Sequence, residues 1–199
     1  MLDTIDLGAI FRRSLQNGGE FAEAYFEHTV SNRIQYENRR VDQLSSGIDA
    51  GIGLRIVFGR QSVYGYTTDL TQKSLQELAG TLSRVVSGKI CNVNIAFEDV
   101  RSAFSQPILR FPGEVALIDK LKYVKRADAA AWTASSDVTQ VSVGYVETLR
   151  KISIANSLGH YARDEKQYLT MFVEAVGSRA GQTQSAYEAQ GGFVGLELF

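Results

Sequence analysis

Hydrophobic residues change their spacing several times along this chain, and each change marks a different element. Between Asp3 and Asn17, Ile5, Ala9, Ile10 and Phe11 recur at helical spacing, with Asp3 or Thr4 as a cap and Gly18-Gly19 as a stop. From Phe21 the period becomes two: Ala22, Ala24 and Phe26 fall on one side, and Glu23, Tyr25 and Glu27 on the other. Ile34 and Tyr36 continue the pattern. A third run, Ile52, Leu54, Ile56 and Phe58, is followed after the hairpin-like turn Gly59-Arg60-Gln61 by a fourth, around Val63 to Thr68. The expectation is an antiparallel meander of four strands. Over Thr71 to Ser87, Leu75, Leu78, Ala79, Leu82, Val85 and Val86 line one face of a helix.

Residues 88 to 113 hold both prolines, Pro107 and Pro112, and keep no period, as a connection would. A third helix is predicted from Glu114 to about Ser135, with Leu117, Leu121 and Val124 on one side and Lys120, Lys122, Lys125 and Arg126 on another. Strand alternation then returns at Val141, Val143 and Tyr145, at Ile152 and Ile154, and at Leu169, Met171 and Val173. The order helix, strand, strand, strand appears once from Asp3 to Gly59 and again from Glu114 to Gly177, which suggests internal halves 1–87 and 114–199 joined by 88–113. At an offset of about 118, Ile34 falls on Ile152, Tyr36 on Ile154, Asn38 on Asn156 and Gly59 on Gly177. The fold class is α+β: a duplicated unit of a helix with three to four antiparallel strands, forming an extended sheet with helices packed on it.

Composition narrows the function classes. With 21 Lys+Arg against 22 Asp+Glu the formal net charge is −1, so the chain lacks the basic field that nucleic-acid binding draws on. No apolar run is long enough for a membrane span. A lone Cys91, no Asn-x-Ser/Thr acceptor and an acidic rather than basic N-terminus together lead to the expectation of a cytoplasmic protein.

Motifs for chemistry are scarce. His28 and His160 are far apart and neither begins a His-Glu-x-x-His helix, and Cys91 has no neighbouring histidine. Gly51-Ile52-Gly53 lacks the third glycine of a dinucleotide fingerprint and leads into a strand, which favours a bulge or close strand packing. The acidic pairs Glu98-Asp99 and Asp164-Glu165 read as surface turns, and the Lys120 to Arg126 cluster as a solvated helix face balanced by Glu114, Asp119 and Asp128. The tail is different: Tyr187, Gly191, Gly192, Phe193, Gly195 and Phe199 fall in a stretch with no charge between Glu188 and Glu197, which suggests docking on a sheet or on a neighbouring molecule. Tyr187, Gly191, Gly192 and Phe193 are the candidate contacts to a peptide or partner.

The block Val41-Asp42-Gln43-Leu44-Ser45-Ser46-Gly47-Ile48-Asp49-Ala50-Gly51-Ile52-Gly53-Leu54-Arg55, followed by Tyr64-Gly65-Tyr66-Thr67-Thr68-Asp69-Leu70, resembles the TldD/PmbA family of zinc-dependent peptidases, once described as modulators of DNA gyrase. Phe21 to Glu27 resembles the family's first strand. The tail from Gln184 to Phe199 is similar to the segment closing its N-terminal domain, and the likeness leans to the TldD branch. The resemblance implies that zinc, held by a His-Glu-x-x-x-His helix and a later cysteine, belongs to a C-terminal domain. His28, His160 and Cys91 match none of those ligands, so neither a catalytic nor a metal residue is carried over. What it implies for residues 1–199 is a non-catalytic N-terminal domain that holds a peptide or unfolded protein and assembles with a related TldD/PmbA-type subunit in a dimer. A protein-interaction module without protease activity is the alternative. An enzyme working through Asp, Glu and Tyr alone ranks behind both, because no spacing converges on a pocket.

Overall fold

In the computed structural model, which describes residues 5–90, 94–101 and 107–199, the first helix starts where a side chain can cap it. Asp6 Oδ1 accepts from the Ala9 amide at 2.8 Å, and α1 runs over Leu7–Leu15. The expected caps, Asp3 and Thr4, lie outside the described residues. β1 (Phe21–Glu37) and β2 (Arg40–Phe58) follow, then β3 (Gln61–Thr67) and α2 (Gln72–Ser83). Thr71 caps α2 by accepting from the Ser74 amide at 3.2 Å.

The first half thus contains three strands, where the alternation suggested four. The runs at Phe21–Glu27 and at Ile34 and Tyr36 are parts of one 17-residue strand. Between them, from Glu27 to Asn32, every side chain is half-buried, so the hydrophobic signal fades without the chain turning. The turn comes later, at Asn38-Arg39, where φ is 48° and 67° at the two positions, as in a type I′ hairpin. α2 stops four residues short of the expected Ser87, leaving Val85 exposed.

After a short β4 (Glu98–Arg101) come α3 (Leu117–Ala134), β5 (Val138–Asn156), β6 (His160–Arg179) and β7 (Gln182–Gly192). Here too a run expected as two strands, Val141–Tyr145 and Ile152–Ile154, is one. The order helix, strand, strand, strand occurs twice. Gly177, the residue aligned with Gly59, lies inside β6, and the corresponding turn is Ala180-Gly181, with φ at 51° and 78°.

The strands form one seven-stranded sheet in the order β3-β2-β1-β5-β6-β4, with β7 also on β6. β2–β3 and β6–β7 pair antiparallel and β4 pairs β6 in parallel. Between β1 and β5 the partners run oppositely: Ser31 meets Thr148, Asn32 meets Glu147 and the Asn38 amide donates to the Val141 carbonyl.

Two compact units divide the chain, one drawn from 1–28, 49–104 and 151–165, the other from 29–48, 105–150 and 166–199. Each has its own core, and each of the four long strands gives one end to each unit. In the first, Ile10, Phe11, Leu15, Leu75 and Ala79 from the helices cover Ala22, Ala24, Phe26, Ile52, Leu54 and Ile56. In the second, Leu121 and Val124 pack with Ile34, Tyr36, Val141, Val143, Tyr145, Leu169 and Leu196. Each fully buried large side chain contributes roughly 1.5–3 kcal/mol, and these two clusters are what commits the strands to their register.

Candidate functional site

In the first unit the residues that alternate away from the core leave an open sheet face. Ile52, Leu54 and Ile56 are buried, so Gly51, Gly53 and Arg55 point the other way, and the register sets Gly53 beside Tyr66 and Arg55 beside Tyr64. On β1, Glu23, Tyr25 and Glu27 share that face by the same parity. A cavity of about 270 Å³ results, lined by Tyr25, Glu27, Asp49, Gly53, Tyr64 and Tyr66 with the intervening backbone. The Tyr25 hydroxyl donates to Glu27 Oε2 at 2.7 Å. Tyr64 lies across Gly53: a Cβ there would come within 2.5 Å of its hydroxyl and 2.8 Å of the ring. The glycine is therefore close packing, as its spacing suggested, between a strand and an aromatic ring.

The tail residues occupy the second unit. Tyr187 sits on β7, 64% exposed, stacked on Phe172 with centroids 5.9 Å apart. Gly191 has no room for a side chain, since a Cβ would lie 2.5 Å from the Leu169 carbonyl oxygen. Gly192 has φ 158° and open space around it, and Phe193 packs on Tyr168 at 4.4 Å. The tail docks on the sheet as expected: β7 pairs with β6 over eleven residues, Leu196 is fully buried, and Phe199 lies against Tyr123 and Tyr145. Tyr187, Gly191, Gly192 and Phe193 form a strip along one strand and its end, and are not gathered into a pocket.

Sequence reasoning missed a buried polar cluster in the same unit. Lys120, expected on a wet face, is 1% exposed, and its Nζ donates to both Glu147 oxygens at 2.6 and 2.7 Å. Asn32 donates to Glu147 Oε1 at 2.6 Å and Tyr145 to Oε2 at 2.5 Å. Burial, then the hydrogen bond and charge of Glu147, push the Tyr145 hydroxyl far above its ordinary pKa. Beside the cluster lies a cavity of about 400 Å³ lined by Val30, Asn32, Phe111, Glu147, Leu149 and Gln167. Four donated bonds occupy the carboxylate, so the cluster serves packing and charge balance.

The expected acidic turns are strands. Asp99 on β4 pairs with Arg163 at 2.5 Å, and Glu165 on β6 with Lys151 at 3.1 Å. His160 is exposed at the start of β6, His28 lies within β1, and Cys91 is outside the described residues. Among the described residues no three His, Cys, Asp or Glu side chains come close enough to share a metal ion.

Known proteins place this architecture. A family model of PmbA/TldA metallopeptidase domain 1 matches residues 22–87, and one of the PmbA/TldA metallopeptidase central domain matches 111–199. The chain belongs to the TldD/PmbA family. The relation suggested by residues 41–70 and by the tail is therefore real; the tyrosine-lined cavity falls within the first match, and of the buried cluster Lys120, Tyr145 and Glu147 fall within the second and Asn32 within the first. A metalloprotease TldD homolog from Haemophilus influenzae is 22% identical over 204 residues, taking in 100% of this chain and 42% of its own. Among solved TldD/PmbA folds, a candidate modulator of DNA gyrase from Thermotoga maritima superposes with TM-score 0.75 at 18% identity, over 94% of this chain and 42% of that one. Another from Bacteroides thetaiotaomicron gives 0.73 at 14%, over 98% and 46%. TldE from Thermococcus kodakarensis gives 0.65 at 14%, over 94% and 43%. The chain spans less than half the length of each of these relatives.

Proposed function

We propose that these residues form the substrate-holding and assembly part of a TldD-like zinc metallopeptidase acting in the cytoplasm, and that they grip extended polypeptide without cleaving it. The observation that carries the reading is β7. Its residues Gln182–Gln190 are exposed, it pairs on one side with β6, and no described strand pairs with its outer edge. Soluble proteins commonly protect such an edge with lysine, proline or a bulge. β7 has neither lysine nor proline, and Glu188 is its single charge. An edge of this kind accepts an extended peptide through main-chain hydrogen bonds, which are indifferent to sequence, while Tyr187 and Phe193 offer apolar contact alongside. The family's metallopeptidase name supports a peptide as the occupant, and a related subunit docking by the same edge fits the assembly role.

Fluorescence anisotropy of a labelled, unstructured peptide titrated with the purified chain tests this. Saturable binding is expected, with affinity falling about tenfold or more when three alternate residues of the peptide are N-methylated, since each lost main-chain bond is worth roughly 1 kcal/mol. Equal binding of the methylated peptide would overturn the edge-pairing mechanism.

A further inference from the structure

The cavity on the outer sheet face of the first unit has a lining suited to one kind of side chain. We propose that Tyr25, Tyr64 and Tyr66, with Glu27 and Asp49, form a subsite for the cationic side chain of a lysine or arginine in bound polypeptide. The inference rests on the peptide-holding reading and names the class of residue held.

The hydroxyl end of Tyr64 lies edge-on against Gly53, where a Cβ would come within 2.5 Å of the hydroxyl and 2.8 Å of Cε2, and the residue remains 63% exposed. Tyr66, 73% exposed, stands beside the same glycine in register. Ring faces carry the negative part of the aromatic quadrupole and attract a cation within about 6 Å. Glu27 and Asp49 add carboxylates to the same wall, and the Tyr25 hydroxyl fixes the first by donating to it at 2.7 Å. Among the described residues no lysine or arginine lines the cavity. Arg55, on the same strand, forms its ion pair with Glu23 at 3.2 Å. An anionic side chain would meet two carboxylates and three electron-rich rings, whereas a cationic one meets charge of the complementary sign. The volume, about 270 Å³, is below the roughly 300–1,000 Å³ of small-molecule pockets, which fits a single long side chain.

The test uses ring resonances of labelled tyrosine in the intact chain, titrated separately with N-acetyl-lysinamide and with its neutral isostere N-acetyl-norleucinamide. Saturable shifts at Tyr25, Tyr64 and Tyr66 are expected from the lysine compound, weakened by salt and about fivefold tighter than for the neutral one. Asp49→Asn, an exposed change, and Gly53→Ala, which displaces Tyr64, are each expected to weaken the lysine response. Equal responses to the two compounds, or none at these tyrosines, would overturn the proposal whatever the variants do. Peptide binding that survives such a failure leaves the edge-pairing reading standing; lysinamide shifts without peptide binding would sink that reading alone.

Discussion

Lys120 shows what a single sequence window cannot reveal. Its neighbours Lys122, Lys125 and Arg126 make it look like one more charge on a wet helix face, yet it is buried because Glu147, 27 residues away on β5, meets it. Helical spacing carries no information about that partner. A buried pair of this kind costs stability when one member is removed, because the other keeps its desolvation penalty without compensation. Glu147→Gln is expected to lower unfolding free energy by roughly 3–5 kcal/mol, and Lys120→Met by a similar amount. The double variant is expected to lose clearly less than the sum, as read from urea denaturation; additive losses would show that the two charges do not depend on each other. Tyr25 was legible on the outer side of an alternating pattern, but its gathering with Tyr64, Tyr66 and Asp49 was not, because it depends on the β2–β3 register.

At the scale of elements, the boundaries that chemistry marks were readable and those that packing marks were not. Thr71 begins α2 and Gly59 turns β2 into β3, with φ 54°, as their residue types suggest. The Asn38-Arg39 turn stayed hidden because arginine at positive φ is no turn signal, and β1 was divided into two strands because the alternation fades from Glu27 to Asn32. The end of α1 depends on Gly18, where φ is 103° and a Cβ would sit 2.2 Å from the Gly88 carbonyl carbon. Both neighbours there are backbone and cannot swing aside. Gly18→Ala is expected to destabilise by more than about 1 kcal/mol, a Tm loss of at least roughly 2–4 °C in a chain of this size. Gly47→Ala in β2, with nothing within 4 Å, is expected to change Tm little. Similar losses at both positions in a thermal melt would contradict the close approach.

For the molecule as a whole, two cores fix one sheet of seven strands, and the most exposed part of that sheet is the strand β7. The tail's aromatic and glycine content signalled docking, and the structure gives the reason: Leu196 and Phe199 anchor the end in the second core, while Gln182–Gly192 add a strand to β6. What composition could not show is that this added strand keeps an open edge, since only topology decides which strand is last. Residue-resolved amide exchange, with and without a saturating unstructured peptide, addresses the gripping role most directly. Slowed exchange is expected at alternate amides along Gln182–Gly192, those facing outward, with the amides already bonded to β6 unchanged and the peptide recovered intact. Saturated peptide with no added protection on β7, or peptide recovered in cleaved form from protein free of other proteases, would contradict a scaffold that holds polypeptide and leaves the chemistry elsewhere.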